Sequence, residues 1–111
     1  MARINYLELP VTATAAAKSF YSGAFGWSFT DFGPTYAATT TGESDIGFQA
    51  DPEAKTAALL PVIEVDDLES VQRAVEAAGG ILTLPIFAFP GGRRFHFRDP
   101  DGHELAVMQP G

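Results

Sequence analysis

Apolar positions in this chain follow two spacings, and the same succession of spacings occurs twice. In "DDLESVQRAVEAAGG", Leu68, Val71 and Val75 recur at i, i+3 and i+7, the stripe of a helix that buries one face. Asp66 or Asp67 can cap its start, and Gly79-Gly80 ends it. Earlier, Ala16, Phe20 and Ala24 form an i, i+4, i+8 stripe, with Thr12 or Thr14 as the expected cap and Gly26 as the stop. Phe25 and Trp27 read as core at the end of that helix. Three short alternating segments follow each helix. They are "WSFTDF", "TYAATTT" and "DIGFQA" after the first, and "ILTLPIF", "RRFHFRD" and "HELAVMQ" after the second. "IFAFPGGRR", Ile86 to Arg94, reads as a mobile flap with exposed aromatics.

Overlaying Tyr6–Trp27 on Leu60–Ile81, an offset of 60 − 6 = 54 residues, places Val11 on Val65, Ala17 on Val71, Ala24 on Ala78 and Gly26 on Gly80. The shared order of strand, cap, stripe and stop favours duplication over chance. The expectation is one α+β domain over 1–111. It comprises two tandem βαβββ modules, about 1–54 and 55–111, forming an open, cavity-bearing curved sheet with a helix on the outer face of each.

Composition then narrows the chemistry. A net charge of −7 argues against nucleic acid and anionic membrane as partners. No apolar run reaches the ~20 residues of a membrane span, and the opening residues lack a signal-peptide core. With no cysteine there is no disulfide, thiolate metal site or thiol nucleophile, which fits a cytoplasmic protein.

The duplicated plan, "KSFYSGAFGW" after the first strand and "FHFRDPDGHELAVM" at the end together resemble the vicinal oxygen chelate superfamily, the glyoxalase, bleomycin-resistance protein and dioxygenase group. That resemblance covers nearly the whole chain. It implies metal ligands at matching places in the two modules. The first lies fourteen residues before Phe20, at Tyr6, and its repeat partner is Leu60. Another falls between Gly47 and Gln49, where only Gln49 could coordinate. The final carboxylate belongs seven residues after Asp99, at 99 + 7 = 106, which is an alanine. At least three of the four ligands are thus replaced, and no cofactor is expected. An unorthodox site from Glu8, Glu64, Glu104 and His96 is the alternative.

Strand parity suggests what the cavity offers instead. Phe95 and Phe97 should face a helix, leaving Arg94, His96 and Arg98 on the other side. Tyr6 and Glu8, Val62 and Glu64, and Glu104 and Met108 point the same way on their strands. With Gln49 these are the candidate ligand-binding residues. Arg94 and Arg98 could equally pair with neighbouring glutamates, and a lone strand histidine is often structural. His96 is nevertheless the candidate acid or base. His103 is assigned to its turn.

Two functions follow. One is a metal-free binding protein for a small organic molecule, with Arg94 and Arg98 holding an anionic group. A cationic ligand held by Glu8, Glu64 and Glu104 is its variant. The other is a lyase, isomerase or dioxygenase-like enzyme using His96 and a glutamate or an unorthodox metal site. A homodimer is expected, because the aromatic segment Ile86–Pro90 would sit awkwardly in water.

Overall fold

A computed structural model describes residues 2–111. Its elements are β1 (Arg3–Pro10), α1 (Thr14–Phe25), β2 (Thr30–Asp31), β3 (Tyr36–Ala38) and β4 (Asp45–Gln49), then β5 (Leu60–Glu64), α2 (Leu68–Ala77), β6 (Ile81–Phe89), β7 (Gly92–Arg98) and β8 (Glu104–Pro110). The βαβββ order therefore occurs twice, in an α+β fold. Two compact units divide the chain, one of Tyr6–Leu60 and one of Pro61–Gly111 with the opening residues of β1.

In the first unit the strand order is β2-β3-β4-β1, and β1 pairs with β4 in parallel. Parallel neighbours cannot be joined by a tight turn, so the connection runs through α1 and the β2–β3–β4 meander. The β3–β4 turn is fixed by Asp45. Its carboxylate accepts from Thr39 Oγ1 at 2.7 Å and from Thr41 N, Thr41 Oγ1 and Gly42 N, each at 2.9 Å. Burial pushes the Asp45 pKa up, but these donors outweigh it and hold the group below the usual carboxylate range.

Helix α1 departs from the sequence reading in two ways. Its cap position is Ala13, with no side-chain cap bond, instead of Thr12 or Thr14. The partly covered face is Thr14, Ala17, Lys18 and Tyr21, while Ala16, Phe20 and Ala24 face solvent. Alanines surround this helix, so the stripe cannot be assigned from spacing. The stacking of Tyr21 on the buried Phe48 ring, at 5.4 Å, sets the rotation. Phe25 and Trp27 consequently lie on the surface, not in a helix-end core.

The second unit is ordered β5-β8-β7-β6, with β5 parallel to β8 and both remaining pairs antiparallel. Here α2 follows its sequence. Asp67 accepts from Ser70 N at 3.1 Å as N-cap, and Leu68, Val71 and Val75 pack with Val65, Phe95 and Val107. Gly79, at φ +103°, leads the chain out of the helix.

Ile86–Phe89 is strand, not a mobile flap. It completes β6, with Ile86 against the core and Phe87 to Phe89 paired to Arg94, Arg93 and Gly92. Pro85 lies within β6 where the register to β7 shifts, as expected of a residue that cannot donate to a ladder and sits on an edge strand.

At the start of α2, both guanidinium arms of Arg93 hold Glu69, the longer contact being 3.1 Å. Hydrogen bonds from Arg93 and from the helix-start backbone, with the charges of Arg93 and Arg73, lower the Glu69 pKa from 4.5 to about 2. A depressed folded pKa stabilises above the unfolded value and is lost as pH falls through the folded one. Between about pH 4.5 and 2, Glu69→Gln should therefore show a shallower fall of melting temperature than the parent. Parallel pH profiles would refute the assignment.

Candidate functional site

On the second module's sheet, alternation sends Ile63, Phe95 and Val107 towards α2. Their neighbours line the opposite face. Val62 pairs with Ala106, which pairs with His96, and Glu64 pairs with Met108, which pairs with Arg94. Five of the ten candidate residues (Val62, Glu64, Arg94, His96 and Met108) thus fall into two adjacent cross-strand rows. Val62, Ala106 and His96 are all buried.

His96 is only 1% exposed, and its Nδ1 lies 2.9 Å from Glu104 Oε2. Thr83 Oγ1 donates to that same oxygen at 3.2 Å. The carboxylate therefore fixes the imidazole ring, and the hydroxyl fixes the carboxylate. This is an orientation suited to acid–base work or to a rigid polar wall.

Arg94 is held by aromatic faces. Its guanidinium carbon is 5.3 Å from the ring centroids of both Phe87 and Phe89. Such placement restricts the side chain, whose planar fork forms hydrogen bonds only in its own plane. Phe87 also approaches the His96 ring at 5.9 Å. Arg98 is placed elsewhere: it is exposed and donates to the Gly102 carbonyl at 3.2 Å, closing the Asp99–Gly102 turn. His103 belongs to the same turn, with its backbone amide donating to Asp99 Oδ1 at 2.9 Å. Glu64 is engaged at the start of β1, accepting from Asn5 Nδ2 at 3.1 Å with Arg3 at 3.8 Å.

The first module assembles a different group. Glu8 is 2% exposed and accepts from the Tyr36 hydroxyl at 2.9 Å. Because Tyr36 has one proton and gives it to Glu8, its oxygen accepts from Tyr6, the next hydroxyl in the chain. Burial, then the charge of Glu8, then Tyr6 raise the Tyr36 pKa above the ordinary phenol range, so Tyr36 remains a neutral donor. Gly47, opposite Glu8 in the register, makes room for this arrangement. A Cβ there would fall on the Tyr6 and Tyr36 hydroxyls. Gln49 turns away to its own loop, accepting from Asp51 N at 3.0 Å.

Tyr36→Phe should cost roughly 1–3 kcal/mol, since it removes a donor from a buried carboxylate. A urea midpoint that does not move, at unchanged slope, would show that Tyr36 does not support Glu8.

Sequence reasoning missed Tyr36, Thr83, Phe87 and Phe89. Tyr36 pairs with Gln49 across β3–β4, a register that the intervening loop conceals. The irregular pairing around Pro85 likewise hides which β6 residues accompany Arg94.

Comparison with known proteins adds the family context. A sequence profile of the Glyoxalase/Bleomycin resistance protein/Dioxygenase superfamily matches residues 3–107. "Putative glyoxylase CFP32" of Mycobacterium bovis is 31% identical over 116 residues, covering 95% of this chain and 44% of its own length. The anthracycline biosynthesis protein DnrV of Streptomyces peucetius is 26% identical over 127 residues, covering 96% and 46%. The chain spans less than half the length of these relatives. A superfamily member of known structure from Vibrio splendidus superposes with a TM-score of 0.70 at 17% identity and full coverage of both chains, a likeness of fold.

Proposed function

Because the chain belongs to the glyoxalase/bleomycin resistance protein/dioxygenase superfamily, we propose that it binds a small organic molecule with an anionic group, without a catalytic metal ion. The observation that carries this reading is Arg94 lying over the rings of Phe87 and Phe89, in a row with Met108 and next to the row of Val62 and Ala106. A guanidinium restricted by ring faces binds a carboxylate or phosphate at a reduced entropic cost, and the apolar neighbours suit an aromatic body. The relation to an anthracycline biosynthesis protein agrees with an aromatic ligand.

The residues at the family's metal positions do not fit a divalent ion. Leu60 and Ala106 are buried and carry no donor atom. The space over Gly47 is taken by two phenol groups, and Gln49 serves its loop. Among the described residues no group of three or more His, Asp or Glu could hold a metal. Glu8, Glu64 and Glu104, the carboxylates of the unorthodox alternative, each have other local partners.

A second reading rests on the 2.9 Å His96–Glu104 contact, which would orient a histidine for metal-free proton transfer. No helix among the described residues is long and apolar enough to cross a membrane. The proposed setting is the cytoplasm, in keeping with the lack of cysteine and testable by cell fractionation.

A thermal-shift screen of small aromatic acids against matched aromatic amines tests the ligand class. Acids should raise the melting temperature and amines should not; the reverse result removes the anionic reading. Elemental analysis of protein purified without chelator should find well under one divalent ion per chain, and EDTA should leave the melting temperature unchanged. Stoichiometric metal with loss of stability on chelation would overturn the metal-free reading.

A further inference from the structure

We propose that the hydrogen-bonded chain Tyr6–Tyr36–Glu8 on the first module is a second binding site, one that takes the neutral hydroxyl of a small phenol. Each member is placed by its strand. Tyr6 and Glu8 lie two residues apart on β1 and so share a face, and Tyr36 comes from β3. Strand β4 runs between those two, with Gly47 opposite both Glu8 and Ala38. A side chain at 47 would take the place of the two phenol hydroxyls, so the glycine is what lets them meet. The chain leads outward, because Glu8 is buried whereas Tyr36 and Tyr6 are half-buried.

Counting protons gives the chain a direction. A carboxylate only accepts, and Glu8 accepts from the Tyr36 hydroxyl at 2.9 Å. Tyr36 has no second proton, so Tyr6 is the donor where the two phenols meet. Tyr6 has then used its one proton, and its oxygen can offer a ligand only a lone pair. The outer end of the chain therefore accepts a hydrogen bond and does not donate one. Each donor in such a chain polarises the next, so the carboxylate of Glu8 strengthens the acceptor at Tyr6. The same carboxylate opposes an anion. A neutral O–H meets both conditions. Phe32 favours an aromatic bearer of that group. It is 46% exposed, its ring meets Tyr36 edge-on at 6.4 Å, and its amide donates to the Tyr36 carbonyl at 2.9 Å, which fixes it beside the phenols.

This site does not rest on the Arg94 reading, and ligand ionisation separates the two: Arg94 would hold an anion, Tyr6 a neutral donor. The probe is para-nitrophenol at a pH where it is un-ionised, with para-nitroanisole, its methyl ether, as the analogue lacking the proton. Calorimetric titration of the parent should show the phenol binding about tenfold more tightly than the ether, the equivalent of one hydrogen bond. Tyr6→Phe keeps the ring, loses the acceptor and should bind the two equally. Should that variant fail to fold, a series of para-substituted phenols decides on the parent. Affinity should rise with the acidity of the neutral hydroxyl, and the matching methyl ethers should show no such order. Equal binding of phenol and ether by the parent overturns the proposal, as does a preference that survives Tyr6→Phe or a flat phenol series. Preference for the ionised phenol, lost in Arg94→Ala, would also overturn it while leaving the anionic reading intact.

Discussion

Phe95→Ala should lower stability by roughly 3–5 kcal/mol, the range for removing a fully enclosed aromatic ring. Phe95 is 0% exposed and sits among Val65, Leu68 and Val107, with Ile63, Val71, Val75 and Phe97 around them. These neighbours come from β5, α2, β7, β8 and the segment leading into α2, so no single element can shift to fill the void. Against a total of roughly 5–15 kcal/mol for a domain this size, the loss is a large share of the folding free energy. At about 4 °C per kcal/mol, the melting temperature should fall by about 12 °C or more. Ile81→Ala, at a 68% exposed position in the same module, is the control and should cost under about 1 kcal/mol. Equal effects of the two changes would mean that the α2 face is not the core of this module.

Arg94→Ala should weaken binding of a small aromatic acid by about ten- to a hundredfold, the equivalent of losing one charge-assisted hydrogen bond of roughly 1.5–3 kcal/mol. Arg94→Lys should recover only part of that. An ammonium lacks the planar fork and cannot lie flat over the Phe87 and Phe89 rings as a guanidinium can. Arg98→Ala is the internal comparison. Its side chain serves the Gly102 carbonyl in an exposed turn, so binding should be unchanged. Calorimetric titration of the three variants with one aromatic acid separates the outcomes. If Arg94→Ala binds as the parent does, the anionic-ligand reading fails; if Arg98→Ala loses affinity equally, charge in general and not this placement is responsible.

The sequence by itself determined the succession of elements and the sides of the strongly patterned strands. In "RRFHFRD" Phe95 and Phe97 alternate with Arg94, His96 and Arg98, and a period of two leaves no choice about which set meets α2. The cap and stop of α2 were legible because Asp67 and Gly79 act within a few residues of their own positions. That Tyr6, Leu60 and Ala106 stand where the resemblance implies metal ligands was equally a matter of residue identity.

Tertiary structure decided everything that depends on distant partners. With alanines all around α1, the Ala16, Phe20 and Ala24 spacing pointed to the wrong face, and only the seat of Tyr21 on Phe48 fixed which rings stayed outside. Arg94 and Arg98 look alike on the strand, yet one lies over β6 aromatics and the other belongs to a turn. Tyr36 reaches Glu8 across 28 residues of sequence because β3 and β1 both pair with β4, above a glycine that leaves the space open. Local patterning fixes what a residue can reach within its own element; which partner it meets depends on register, and register is set by the packing of the whole module.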